Sequence, residues 1–106
     1  MKEISEKLRE FNEEREWGQF HTPENLSKSI SIEAGELLEC FQWNNNYDSA
    51  AVCEELADVT MYCIMLADRI NVDLKEEILK KIKVNSEKYP VSKSKGNSIK
   101  YSNFGD

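Results

Sequence analysis

Four acidic residues occur as two pairs of equal spacing, Glu33 with Glu36 and, after 18 intervening residues, Glu55 with Asp58. Residues at i and i+3 are surface neighbours on an α-helix, so each pair can aim two carboxylates at one point. A single pair of this kind is usually just the solvated face of an amphipathic helix. Here there are two pairs in matching orientation, and the second stands in a stretch, Val52 to Ala67, with almost no other charge. Facing each other, four carboxylates repel and resist ionisation unless a counter-charge joins them. A divalent cation removes that conflict. All-oxygen donors select a hard ion, so the expected cofactor is Mg2+, with Mn2+ as a substitute, held by carboxylates and water where substrate phosphates complete the shell.

The elements that must position these acids are all helical. Ile4, Leu8 and Phe11 recur at helical spacing and predict a first helix from about Lys2 to Glu16. Thr22 followed by Pro23 reads as an N-cap with proline at the first helical position, opening a second helix that runs to about Phe41. The polar run Asn44, Asn45, Asn46 ends it. Asp48 caps a third helix to about Ile70, and Asp73 with Glu76 starts a fourth that fades near Tyr89 and Pro90. No segment alternates with period two. The expectation is an all-α, four-helix bundle in one domain spanning residues 1–106, with a helical body over about 2–89 and an irregular tail from Val91. If the second and third helices pack antiparallel, as their short connection implies, the two acid pairs face each other.

The third helix has apolar residues on nearly every side. Val52, Leu56, Val59, Cys63, Leu66 and Ile70 fall on one side, and Ala57, Met61, Ile64 and Met65 cover much of the other. A helix apolar all round is expected to be buried all round. Three companion helices in a chain of 106 residues can hardly enclose it, so a homodimer or homotetramer is expected.

Composition narrows the function classes. The net charge of -6 argues against a nucleic-acid polymer as partner, since that needs a broad basic surface to displace counterions. Met1 to Leu79 carry 7 Lys and Arg against 18 Asp and Glu, whereas Lys80 to Asp106 carry 7 against 2. An acidic body with a basic end suits a molecule that handles both a metal cation and a polyanion, although basic ends also occur on ordinary soluble domains. Cys40, Cys53 and Cys63 are odd in number and lack metal-ligand spacing, so they read as small core residues. Charge begins at Lys2 and no apolar run approaches a membrane span, so neither a signal peptide nor a membrane partner is expected, and the reducing cytoplasm is the natural compartment.

The text around the acids adds a resemblance. Glu33-x-x-Glu36 and Glu55-x-x-Asp58 resemble the signature of the MazG-like, all-α nucleotide pyrophosphohydrolases. The run from Trp17 to Leu26, the Gly35-Glu36-Leu37 step, Phe41-Gln42-Trp43, the run from Glu54 to Val59, Lys88-Tyr89-Pro90 and Lys100-Tyr101 are similar to the dCTP-pyrophosphatase branch, and small bacterial MazG proteins borne on mobile elements are the nearest group suggested. The likeness covers nearly the whole chain apart from a shorter loop around Asn44 to Ser49.

This resemblance implies hydrolysis of a nucleoside triphosphate, dCTP or a related deoxynucleotide, to monophosphate and pyrophosphate in nucleotide-pool house-cleaning. It implies that Glu33, Glu36, Glu55 and Asp58 hold the metal, and that Glu33 or Glu36 takes the proton from the attacking water. Trp17, His21, Trp43 and Tyr62 resemble the family's base-and-sugar pocket, against the simpler readings of core packing for the tryptophans and a helix-entry contact for the histidine. Lys83, Asn85, Lys88, Tyr89, Lys93, Lys95 and Lys100 are candidates for the triphosphate, or solvated residues at a helix end. A di-iron carboxylate bundle would need Glu-x-x-His pairs, and His21, the sole histidine, forms none. The alternative from another class is a non-catalytic helical adaptor or antitoxin-like protein, which leaves the acids beside apolar surface without an explanation.

Overall fold

The structure, a computed structural model, describes residues 1–43 and 46–98. Every regular element among them is helical. They fall into two compact units, Met1–Asp73 and the segment from Leu74 onward.

The first unit is built from α1 (Lys2–Glu14), a single 3-10 turn (Trp17–Phe20), α2 (Pro23–Glu39) and α3 (Ser49–Arg69). α1 ends two residues before the expected boundary. Glu16 adopts the left-handed conformation at φ 55°, which an L-residue cannot propagate as a helix, and the chain turns there into the 3-10 turn. Arg15 lies over the Phe11 ring at 3.8 Å and Trp17 meets the same ring edge-on at 5.6 Å, so Phe11 anchors the corner.

Thr22 caps α2 as expected: its hydroxyl accepts from the Asn25 N–H at 3.2 Å, with Pro23 at the first position. The helix closes at Glu39 rather than Phe41, because the Cys40 and Phe41 N–H groups bond three residues back, to Leu37 at 3.2 Å and Leu38 at 3.0 Å, tightening the last turn. Asp48 caps α3 by accepting from the Ala50 N–H at 3.0 Å. At the other end Asn71 is left-handed at φ 59°. Its N–H donates to Asp68 and that of Val72 donates to Ala67 at 2.8 Å, the paired bonds of a Schellman stop.

α3 is the wall against which α1 and α2 both pack. Contacts at both ends show that α2 runs antiparallel to it. Arg69, at the end of α3, donates to the His21 carbonyl just ahead of α2, and Phe41, just past α2, packs on Tyr47 just ahead of α3 at 4.9 Å. α1 is antiparallel too, since Arg9 pairs with Asp68 at 2.8 Å while Asn12 reaches Met65.

Leu26, Ile64 and Ala67 are the buried apolar residues among those described, and α3 is not buried all round. Leu56 is 49% exposed and Met61 37%, because α1 and α2 cover only part of the helix. Cys53 is likewise exposed, not a core residue.

The second unit holds α4 (Leu74–Lys88), which begins directly after Asp73, and a one-turn helix α5 (Val91–Ser94). The expected irregular tail thus opens with a helical turn: the Pro90 carbonyl accepts from the N–H groups of Lys93 at 2.9 Å and Ser94 at 3.0 Å. Lys100 and Tyr101 lie outside the described residues.

Candidate metal centre

The two acid pairs meet where α2 and α3 pack. Glu33, Glu55 and Asp58 each offer a carboxylate oxygen such that all three atoms lie within 4.8 Å of one another, a set able to hold a metal ion. Glu36 is in hydrogen-bond contact with both Glu33 and Glu55. All four side chains are half-buried.

The electrostatics follow from that crowding. The hydrogen bond with Glu36, then burial, then the charges of Glu36, Asp58 and Glu55 push the Glu33 carboxyl up to about 7. Burial, and after it the charge of Glu36, pushes Glu55 upward as well. Without a cation the cluster therefore retains a proton near neutrality. Glu33 Oε2 and Glu55 Oε2 are buried and have no hydrogen-bond partner. Buried carboxylate oxygens without a partner are costly, and a hard divalent cation supplies what both lack. By geometry and donor type, the residues present fit such an ion.

One helical turn along α3 from Asp58 is Tyr62, and there a second feature begins. Trp17, His21 and Tyr62 line one pocket of about 100 Å3 together with Leu8, Phe11, Asn12, Met61 and Met65. Three of the four residues assigned to a base-and-sugar pocket are thus together. Trp43 is not among them; it stands 84% exposed beyond the end of α2. A larger cavity of about 290 Å3 adjoins, sharing Leu8, Asn12, His21 and Met65 and reaching the Arg9–Asp68 ion pair and Arg69. Lys83, Asn85 and Lys88 lie on α4, Tyr89 follows it, Lys93 is in α5 and Lys95 follows that, all in the second unit.

The sequence reading passed over Asn12 and Arg69. Asn12 follows Leu8 by four residues, so it is a polar residue on the row of α1 that faces inward, a signal visible in the spacing. Arg69 looks like an ordinary basic residue in a last turn. Its tie to the His21 carbonyl at 3.2 Å, which pins the histidine backbone beside the pocket, spans 48 positions of sequence and leaves no local trace.

Comparison with known proteins agrees with this architecture. The dCTP pyrophosphatase 1 of Mus musculus is 40% identical over 105 residues, covering 90% of this chain and 62% of that protein. The Homo sapiens protein of the same name is 40% identical over 102 residues, covering 87% and 60%. The chain thus spans about three fifths of the length of these relatives. The crystal structure of a pyrophosphatase from Archaeoglobus fulgidus superposes with a TM-score of 0.79 at 41% identity, covering 85% of this chain and 92% of that one. The model of the MazG-like family matches residues 28–104, which include all four acids, and the chain belongs to that family.

Proposed function

We propose that this protein is a Mg2+-dependent nucleoside triphosphate pyrophosphohydrolase that acts on dCTP or a related deoxynucleotide, releasing the monophosphate and pyrophosphate. The observation that carries the reading is the juxtaposition of Glu33, Glu55 and Asp58, with two buried carboxylate oxygens lacking partners, and an aromatic pocket one turn along the same helix. Relatives named dCTP pyrophosphatase 1 support the substrate class.

Glu33, Glu55 and Asp58, with Glu36 beside them, would hold the metal. Bound there, it neutralises the triphosphate and polarises the phosphorus under attack. The remaining steps belong to the chain. Trp17 and Tyr62 flank the base, and His21 closes the pocket beside them. Water attacks the α-phosphorus, the bond from that phosphorus to the bridging oxygen breaks, and pyrophosphate leaves with the bond's electron pair. The proton from the water passes to Glu33 or Glu36.

The same reading makes the functional unit a homo-oligomer, dimer or tetramer. Its support is the apolar surface left open on one chain, with Leu38 on α2 71% exposed and Ile32, Leu56 and Met61 exposed as well. A two-fold assembly would cover these residues and duplicate the site.

Phosphorus NMR of dCTP turned over with Mg2+ tests the reaction. Monophosphate and pyrophosphate are the expected primary products. Diphosphate with orthophosphate, or no turnover of any triphosphate, would reject the proposal.

A further inference from the structure

The pocket beside the acids is almost entirely apolar or aromatic, and such a lining holds a ring without distinguishing one base from another. Its hydrogen-bonding groups are the Tyr62 hydroxyl, the Trp17 indole N–H, His21 and Asn12, and of these only Asn12 offers an amide edge with a carbonyl acceptor. Asn12 is half-buried on α1, and its side chain makes one hydrogen bond among the described residues, in which Nδ2 donates to the Met65 sulfur at 3.5 Å. That contact orients the amide. Turned over, the carbonyl oxygen would face the thioether lone pairs with no hydrogen between them. The amide nitrogen therefore stays on the α3 side, and Oδ1 is left as an acceptor with no partner among the described residues.

Position along α3 agrees with a role at the far end of a nucleotide. Met65 lies seven residues beyond Asp58, roughly 10 Å along the helix axis, with Tyr62 between them. A nucleoside bridges such a gap between its 5′-phosphate and the outer edge of its base. The pocket is about 100 Å3. A dry cavity of about 150 Å3 holds benzene, so this smaller, open-sided one has no room for the two fused rings of a purine.

We propose that Asn12 is the specificity-determining residue of this site, its Oδ1 accepting a hydrogen bond from the exocyclic amine of a pyrimidine and so favouring cytosine over thymine or uracil nucleotides. This rests on the reading of the site as nucleotide-binding. A 4-oxo base sets a carbonyl against Oδ1, two acceptors with no proton between them, and discrimination comes from that mismatch as much as from the bond to the amine.

Calorimetric binding of nucleoside monophosphates to the full chain tests this without requiring turnover. Wild type should bind dCMP about tenfold more tightly than dTMP, and the monophosphate of 2-pyrimidinone deoxyriboside, which lacks the amine but also the 4-oxo group, should fall between the two, about threefold weaker than dCMP. Asn12→Leu should bring all three ligands to within about twofold of one another, whereas Asn12→Asp, which keeps an acceptor, should retain the preference for dCMP. A wild type that does not separate dCMP from dTMP overturns the proposal. So does an Asn12→Leu variant that keeps the preference, or one that weakens all ligands equally, as a merely structural residue would. Should Asn12→Leu fail to fold, Asn12→Ala, which also removes Oδ1, takes its place with the same expected and overturning outcomes. If dCMP is preferred through Asn12 while no triphosphate is hydrolysed, the hydrolytic reading fails and this one stands.

Discussion

Loading Mg2+ onto the metal-free protein should expel a proton, and the structure says how much and at which pH. Glu33 is held at about 7 by its hydrogen bond with Glu36, by burial and by the three neighbouring acids. A carboxylate must be deprotonated to bind metal. With that value, Glu33 alone surrenders about 0.9 proton per site at pH 6, about 0.5 at pH 7 and about 0.1 at pH 8. Glu55 is raised too, so the figure at pH 6 is a floor. The same competition lowers the apparent Mg2+ affinity about tenfold between pH 8 and pH 6. Titration calorimetry in two buffers of different ionisation enthalpy counts the protons directly, because the apparent binding enthalpy shifts by the buffer's enthalpy times the number released. Release near zero at pH 6, or an affinity that does not change between pH 6 and pH 8, would refute the description of the cluster as four crowded acids awaiting a cation.

The same carboxyl affects folding. Because its native value lies above the ordinary 4.5, its contribution to stability is complete below about pH 4.5 and lost as pH rises through 7; in EDTA, the melting temperature of Glu33→Gln relative to wild type should therefore climb across that window. Leu26→Ala removes the one large side chain that is fully buried among the described residues, at 1% exposure, and should cost about 2–5 kcal/mol in denaturant unfolding. Leu38→Asp puts a charge on an exposed apolar face of α2 away from the acids, and should shift light-scattering mass toward the monomer while leaving helicity unchanged; unchanged mass would remove this face from the interface.

What could be read in advance was what local chemistry decides. Thr22 and Asp48 cap their helices as the residue types demand, since a cap is a bond between neighbours in sequence. The acid pairs were legible for the same reason: i and i+3 spacing puts Glu33 beside Glu36 and Glu55 near Asp58, and one further inference, that α2 and α3 are antiparallel, brings the pairs together. Glu16 was missed because no propensity marks a glutamate for the left-handed region, and the 3-10 turn after it exists by virtue of Phe11 packing on Trp17. Asn12 and Arg69 were missed because their partners, Met65 and His21, lie across the fold. The expectation that α3 would be buried on every side failed within one chain, since apolar periodicity reports what a face would avoid, not whether this chain supplies the cover.

α3 also acts as a ruler. It carries acids at Glu55 and Asp58 and pocket residues at Met61, Tyr62 and Met65, so on the proposed function the spacing between the bond to be cut and the ring to be held would be set by the rise of a single rigid rod, about 1.5 Å per residue. An insertion of one residue between Asp58 and Tyr62 would swing everything beyond it by about 100° and uncouple the two halves of the site. The two features draw on different neighbours: α2 supplies Glu33 beside the acids of α3, whereas α1 supplies Leu8, Phe11 and Asn12 to the pocket. On the proposed function, substitutions on α1 would retune which base is accepted without disturbing the carboxylates, and those on α2 would alter the metal without touching the base, a separation that would let one small helical scaffold diversify its substrates while keeping its chemistry.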